Sequence, residues 1–272
     1  MNDRITITVE NGVADVRMVR TDKMNALDNG MFEALLAAGE RLKTEPGLRA
    51  VVLSGDGRAF CAGLDMGNFG KMADGAASES DGAASQSSLA ARTHGAANRA
   101  QYVCWVWREI PVPVIAAVHG VAFGGGFQLM LGADMRYIAP DARLAILEIK
   151  WGLIPDMAGT QLMKHLVRED VVRELTYTGR VFSGEEALAI GFATRVCADP
   201  RAEALATARE IAGKNPHAIR AGKRLLNAAV EVGPAVGFQQ ETDEQLALIG
   251  SRNQVEAIMA NMQKRAPSFA EV

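Results

Sequence analysis

Ile5, Ile7 and Val9 alternate with polar residues, Asn11-Gly12 follows, and an apolar-rich segment resumes from Val13 to Val19. A period of two on either side of an Asn-Gly pair predicts an N-terminal hairpin. From Asp28 the period lengthens. Phe32, Leu35, Leu36 and Leu42 share one face of a helix that Asp28 can cap and that ends near Gly47. The run Ala50-Val51-Val52-Leu53-Ser54, closed by Gly55, reads as a short buried strand. Strand, helix, strand in that order implies a right-handed crossover.

The unit recurs in outline. A helix ending at Trp105-Val106-Trp107 leads to a strand over Val112 to Val118. After a group of glycines, a short helix (Phe127 to Leu131) leads to a strand over Met135 to Ala139. Trp105 and Trp107 face different sides in either geometry, so at least one is core and the other is free to wall a pocket. Beyond about residue 156 the pattern is almost wholly helical. Ser183-Gly184-Glu185-Glu186 predicts a capping box, and Asn215-Pro216 and Gly233-Pro234 punctuate later helices. Between Gly67 and Asn98 the composition shifts to Gly, Ala and Ser. Two readings stand for this segment: a tolerated insertion, or a flexible wall over a binding site.

Composition narrows the class. The 272 residues are 49% apolar and 22% charged, as for a soluble globular protein with a full core. A net charge of −3 without a basic stripe argues against nucleic acid as a partner. No run of about 18 apolar residues occurs, so no membrane span is expected. The start, MNDRITITVE, has no signal-peptide pattern. Cys61, Cys104 and Cys197 are widely spread, which fits buried thiols in a reducing cytoplasm better than a disulfide framework. No cysteine, histidine and acid set has zinc or triad spacing, so no metal is expected.

Two glycine-containing turns follow buried strands. Phe60-Cys61-Ala62-Gly63-Leu64-Asp65 comes after the strand ending at Ser54. His119-Gly120-Val121-Ala122-Phe123-Gly124-Gly125-Gly126-Phe127-Gln128 comes after the strand ending at Val118. Three successive glycines let a chain approach a ligand closely and aim its N–H groups at one point. A helix opening at Gly126 would add its positive end there. Taken alone, each turn also fits a close packing contact, and neither has dinucleotide or phosphate-loop spacing.

With a third segment, Leu147 to Gln161 (LEIKWGLIPDMAGTQ), in the same order, the chain resembles the crotonase superfamily, the enoyl-CoA hydratase/isomerase family, over nearly its whole length. The resemblance implies a crotonase-like α/β spiral of repeated β-β-α units with a helical C-terminal region. Residues 1–200 would then form the core for acyl-CoA binding and catalysis. Residues 201–272 would serve oligomerisation and pocket cover. It also implies that the backbone N–H groups of Leu64 and Gly125 form an oxyanion hole for a thioester oxygen. Met24, Ala26, Ala62, Gly63, Asp65, Met66 and Gly124 would line the CoA path. Lys264 falls where relatives direct a lysine toward the nucleotide phosphates, often from a neighbouring subunit; a solvated surface charge is the alternative. No redox cofactor is implied, CoA arriving as part of the substrate, and a homo-oligomer (trimer or hexamer) is expected.

The carboxylates set the chemistry. Family hydratases hold a water between two glutamates, and the corresponding positions here are Gln128 and Glu148. A neutral amide can orient water or substrate but cannot accept a proton. Asp156 stands where dienoyl-CoA isomerases carry a second proton-transfer group, although they also keep an acid at the position of Gln128. Following Pro155, Asp156 can equally cap the next helix. Leu147, Ile149 and Trp151 are expected to raise the Glu148 pKa by desolvation, unless Glu148 pairs with Lys150 at the surface. His119 reads as a structural hydrogen-bond donor. The expected activity is therefore double-bond isomerisation, with Glu148 shuttling the proton, Asp156 assisting and Gln128 orienting substrate or water. A single-glutamate hydratase and a non-catalytic CoA-binding protein are the alternatives.

Overall fold

The computed structural model describes residues 3–67 and 89–271. The chain starts with β1 (Ile5–Glu10) and β2 (Val13–Met18), then α1 (Asn29–Lys43), β3 (Ala50–Gly55), α2 (Arg99–Glu109), β4 (Val114–Val118) and β5 (Val121–Phe123). It continues with α3 (Gly125–Leu131), β6 (Met135–Ile138), β7 (Arg143–Ala145), a 3-10 turn (Glu148–Trp151), α4 (Gly159–Met163), α5 (Glu169–Thr178) and β8 (Phe182–Ser183). Last come α6 (Gly184–Ile190), β9 (Arg195–Val196), α7 (Pro200–Ala212), α8 (Pro216–Ala229), α9 (Pro234–Leu248) and α10 (Arg252–Met262).

The hairpin forms as its turn residues require. Asn11 and Gly12 both take positive φ (50° and 77°), the geometry of a two-residue turn that matches strand twist. From β2 onward the main sheet is parallel, in the order β1-β2-β3-β4-β6-β9. Every residue of β3 and β4 is buried, because helices cover both faces. This is why those strands read as continuous apolar runs rather than alternations. On one face Phe32, Leu35 and Leu42 of α1 meet Val103, Val106 and Trp107 of α2 over the sheet. On the other, Ala204 and Ala208 of α7 pack on Val52, Ile115 and Tyr137. A second sheet, in the order β5-β7-β8, stands beside the first.

Helix starts follow local chemistry. The Met31 N–H donates to Asp28 Oδ1 at 2.8 Å, so Asp28 caps α1. Asn98 and Gln101 form a reciprocal capping box at α2. At Ser183 the box is only half made: Ser183 accepts from the Glu186 N–H, whereas the Glu186 carboxylate pairs with Arg180 at 2.6 Å.

Three expectations need correcting. The strand expected from Val112 begins at Val114. The glycine turn ends in a helix that opens at Gly125, not Gly126 or Phe127. The region beyond 156 contains two short strands, β8 and β9, each of two residues and too short to carry a period. Most of the segment weighed as insertion or wall, residues 68–88, lies outside the described residues. Among the described residues no helix is long and apolar enough to cross a membrane.

Candidate active site

The two glycine turns meet edge to edge. The Cys61 N–H donates to the Val121 carbonyl at 3.0 Å, the Phe123 N–H to the Cys61 carbonyl at 3.1 Å, and the Phe60 N–H to the His119 carbonyl at 2.9 Å. On its other side the first turn pairs with Leu27. The Leu27 N–H donates to the Gly63 carbonyl (2.8 Å) and the Asp65 N–H to the Leu27 carbonyl (3.1 Å). Since residues 63 and 65 make both bonds, Leu64 between them turns its own N–H away from Leu27. Gly125 is the first residue of α3, so no carbonyl one turn earlier can accept its N–H.

Contact between the turns requires glycine. Gly63 has φ +88°, and a Cβ placed there would lie 2.5 Å from the Phe123 carbonyl oxygen and 3.7 Å from the Gly125 nitrogen. No side chain fits that gap. Leu64 and Gly125 thus come to the wall of one cavity of about 760 Å³, with Met24, Ala26, Ala62, Gly63, Asp65, Met66 and Gly124 also lining it. Arg20, which the sequence reading missed, straps this wall. It donates to Asp65 Oδ2 at 2.6 Å and to the Ala26 carbonyl at 3.0 Å. Burial pushes the Asp65 carboxyl up, but the Gly67 N–H and Arg20 outweigh it and leave the pKa below the usual range.

Glu148 lines the same cavity beside Gly124, at the start of the 3-10 turn and only 9% exposed. Its Oε1 accepts from Gln128 Nε2 at 2.6 Å, while its buried Oε2 has no hydrogen-bond partner among the described residues. Burial raises its pKa and the nearby charge of Asp156 adds to the rise, against its own backbone N–H, the Gln128 bond and the Leu147 N–H. Ile149 and Trp151, two of the three neighbours expected to supply the desolvation, are themselves exposed, yet the desolvation is present. Pairing with Lys150 is not: Lys150 Nζ sits over the Trp151 ring, 5.4 Å from its centroid. Asp156 lines the same cavity with solvent access, and withdrawal of water by its surroundings raises its carboxyl as well. Its capping role is corrected, because α4 starts after Ala158 in a left-handed conformation and takes no side-chain cap.

Gln128 requires a correction too. It is completely buried, takes no part in the cavity lining, and stands behind Glu148. Its carbonyl oxygen accepts the N–H groups of Met157 (2.8 Å) and Gly159 (2.9 Å). It cannot orient substrate or water directly in this arrangement, because both ends of its amide are engaged inside the protein.

The other singled-out residues do not line the cavity. His119 Nε2 makes a 2.9 Å bond with the Gly57 carbonyl. Trp107 is buried with its indole N–H on the Val103 carbonyl, and Trp105 packs under Arg108; neither lines the cavity, whereas Trp151 does. Lys264 is exposed beyond α10 and does not reach the cavity of its own chain. Burial pushes the Cys61 thiol up to about 12, so it is not a nucleophile.

The sequence profile described as Enoyl-CoA hydratase/isomerase matches residues 8–272. The mitochondrial methylglutaconyl-CoA hydratase of Homo sapiens is 29% identical over 265 residues, covering 95% of this chain and 74% of its own length. The peroxisomal Delta(3,5)-Delta(2,4)-dienoyl-CoA isomerase of Arabidopsis thaliana is 30% identical over 256 residues, covering 93% and 91%. The crystal structure of enoyl-CoA hydratase from Bacillus anthracis superposes with a TM-score of 0.85 at 26% identity, covering 98% of this chain and 99% of that one.

Proposed function

The chain belongs to the enoyl-CoA hydratase/isomerase family, and from that premise we propose that it shifts the double bond of an enoyl- or dienoyl-CoA. The observation that carries this reading is the cavity's pairing of groups. Leu64 and Gly125, whose N–H groups have no backbone acceptor among the described residues, line a space shared with a single buried carboxylate, and the position where hydratases of the family would carry a second carboxylate holds an amide set behind the first, outside the cavity lining.

The chemistry follows from those groups. With the thioester oxygen on the two N–H groups, Glu148 removes a proton from the carbon next to the carbonyl. The C–H electron pair moves into the thioester, and the resulting enolate oxygen is where the donors bind most strongly. Such a donor contributes about 2.7–4 kcal/mol to lowering the barrier. Protonated Glu148 then returns the proton two carbons further along, the double bond moves into conjugation, and the carboxylate is regenerated. A raised pKa suits a group that must both take and give a proton near neutrality. Asp156 supplies a second proton-transfer group for longer conjugated substrates. CoA enters as part of the substrate.

Exposed Phe238, Leu246, Ile249 and Met262 on and beside α9 and α10 leave apolar surface that supports a homo-oligomer. In such an assembly Lys264 of a neighbouring copy would reach the CoA phosphates. Hydration is the second reading, favoured by relatives named as hydratases.

The test is turnover of trans-3-enoyl-, 3,5-dienoyl- and trans-2-enoyl-CoA by the wild type, Glu148→Gln and Asp156→Asn. Isomerisation lost in Glu148→Gln, with dienoyl turnover alone falling in Asp156→Asn, supports the proposal. Hydration of the 2-enoyl substrate alone replaces it with the hydratase reading.

A further inference from the structure

Gln128 lies three residues after Gly125 on α3, so one short helix presents a cavity N–H at its start and holds Gln128 behind the base. The direction of its amide is fixed by chemistry. The Met157 and Gly159 N–H groups can only face an oxygen, so the NH₂ end must face Glu148. The fit is close, since a Cβ on Gly159 would fall 2.5 Å from the Gln128 oxygen. Glu148 Oε1 thus always meets a donor and cannot itself carry a hydrogen along that bond. Any proton that Glu148 takes up belongs on Oε2, the oxygen left without a partner among the described residues.

We propose that Gln128 is a positioning residue that holds Glu148 by Oε1, makes Oε2 the one reacting oxygen, and ties this carboxyl to the turn bearing Asp156. The inference rests on Glu148 as the proton carrier, and the step balances. Oε2 takes the carbon-bound proton, the C–H pair enters the enolate, and the same O–H bond breaks to form the new C–H bond. An acid at position 128 would change this, because two carboxyls joined at this distance must share a proton and titrate as a pair.

The experiment has two readouts. The first is the pH profile of kcat and KM on a trans-3-enoyl-CoA for wild type, Gln128→Met and Gln128→Glu. The second is the protonation midpoint of the Glu148 carboxyl by difference infrared spectroscopy, its band identified by its loss in Glu148→Gln. Loss of the donated bond in Gln128→Met should lower kcat about ten- to a hundredfold with little change in KM, and move the midpoint and the acid limb to higher pH. Gln128→Glu should titrate in two coupled steps. If Gln128→Met fails to fold, the Gln128→Glu titration decides alone. An unmoved midpoint in folded Gln128→Met, or a single uncoupled step in Gln128→Glu, overturns the proposal. A moved midpoint in an enzyme that turns over no enoyl-CoA keeps the positioning role and refutes the isomerase reading instead.

Discussion

Gly63→Ala tests the contact that holds the two N–H groups together. The added Cβ would sit 2.5 Å from the Phe123 carbonyl oxygen, against about 3.3 Å for an ordinary carbon–oxygen contact, so the turns must separate by about 0.8 Å. Phe123 is two residues before Gly125, and Leu64 directly follows the substituted residue. A hydrogen bond of about 2.9 Å stretched by that amount is no longer one. The variant should therefore lose one donor to the enolate oxygen, a fall in kcat of about 10²–10³, with a smaller change in KM. It should also lose about 1–2 kcal/mol of stability, because alanine resists the φ of +88°. Gly250→Ala separates the two effects: its φ is +75° but no atom lies within 4 Å of the added Cβ. That control should show the stability loss with full kcat. Steady-state kinetics and thermal melts of both proteins read the outcome. A folded Gly63→Ala enzyme with wild-type kcat would refute the convergence of the two N–H groups.

Glu148→Gln should melt higher than wild type at neutral and alkaline pH. Glu148 titrates above an ordinary carboxyl, so its favourable contribution is complete below the ordinary value and is lost as pH rises through the raised one; the difference in Tm should vanish in acid. For the same reason isomerisation should rise with pH through that raised value, as a kcat profile will show. Lys223→Ala should cost about 1–2 kcal/mol in denaturant unfolding, because it removes the bonds from Lys223 Nζ to the solvent-accessible Asp134 (2.7 Å) and to the Val112 carbonyl (2.9 Å); an unchanged midpoint would contradict this.

Local patterns were readable where local physics decides the outcome. Asn11-Gly12 dictated a turn, Asp28 a cap, and the run at Ala50 a strand covered on both faces. Motif order placed Leu64, Gly125 and Glu148, and the structure brings all three to one cavity. What the sequence concealed depends on distant partners. Gln128 looked like a cavity residue because the N–H groups that claim its oxygen come 29 and 31 residues later. Arg20 carried no local signal, its partner Asp65 being 45 residues away. Asp156 was readable as a cap because a left-handed Ala158 two residues on leaves no mark in a pattern of polar and apolar positions.

The central claim is that Glu148 carries one proton between two carbons of a bound thioester. Its most direct test is conversion of trans-3-enoyl-CoA deuterated at the carbon next to the carbonyl, in ordinary water, with the label located by mass spectrometry. The account predicts trans-2-enoyl-CoA with part of the label moved two carbons along, and no conversion by Glu148→Gln. Label appearing only in solvent, conversion that survives Glu148→Gln, or a 3-hydroxyacyl-CoA as the product would contradict it.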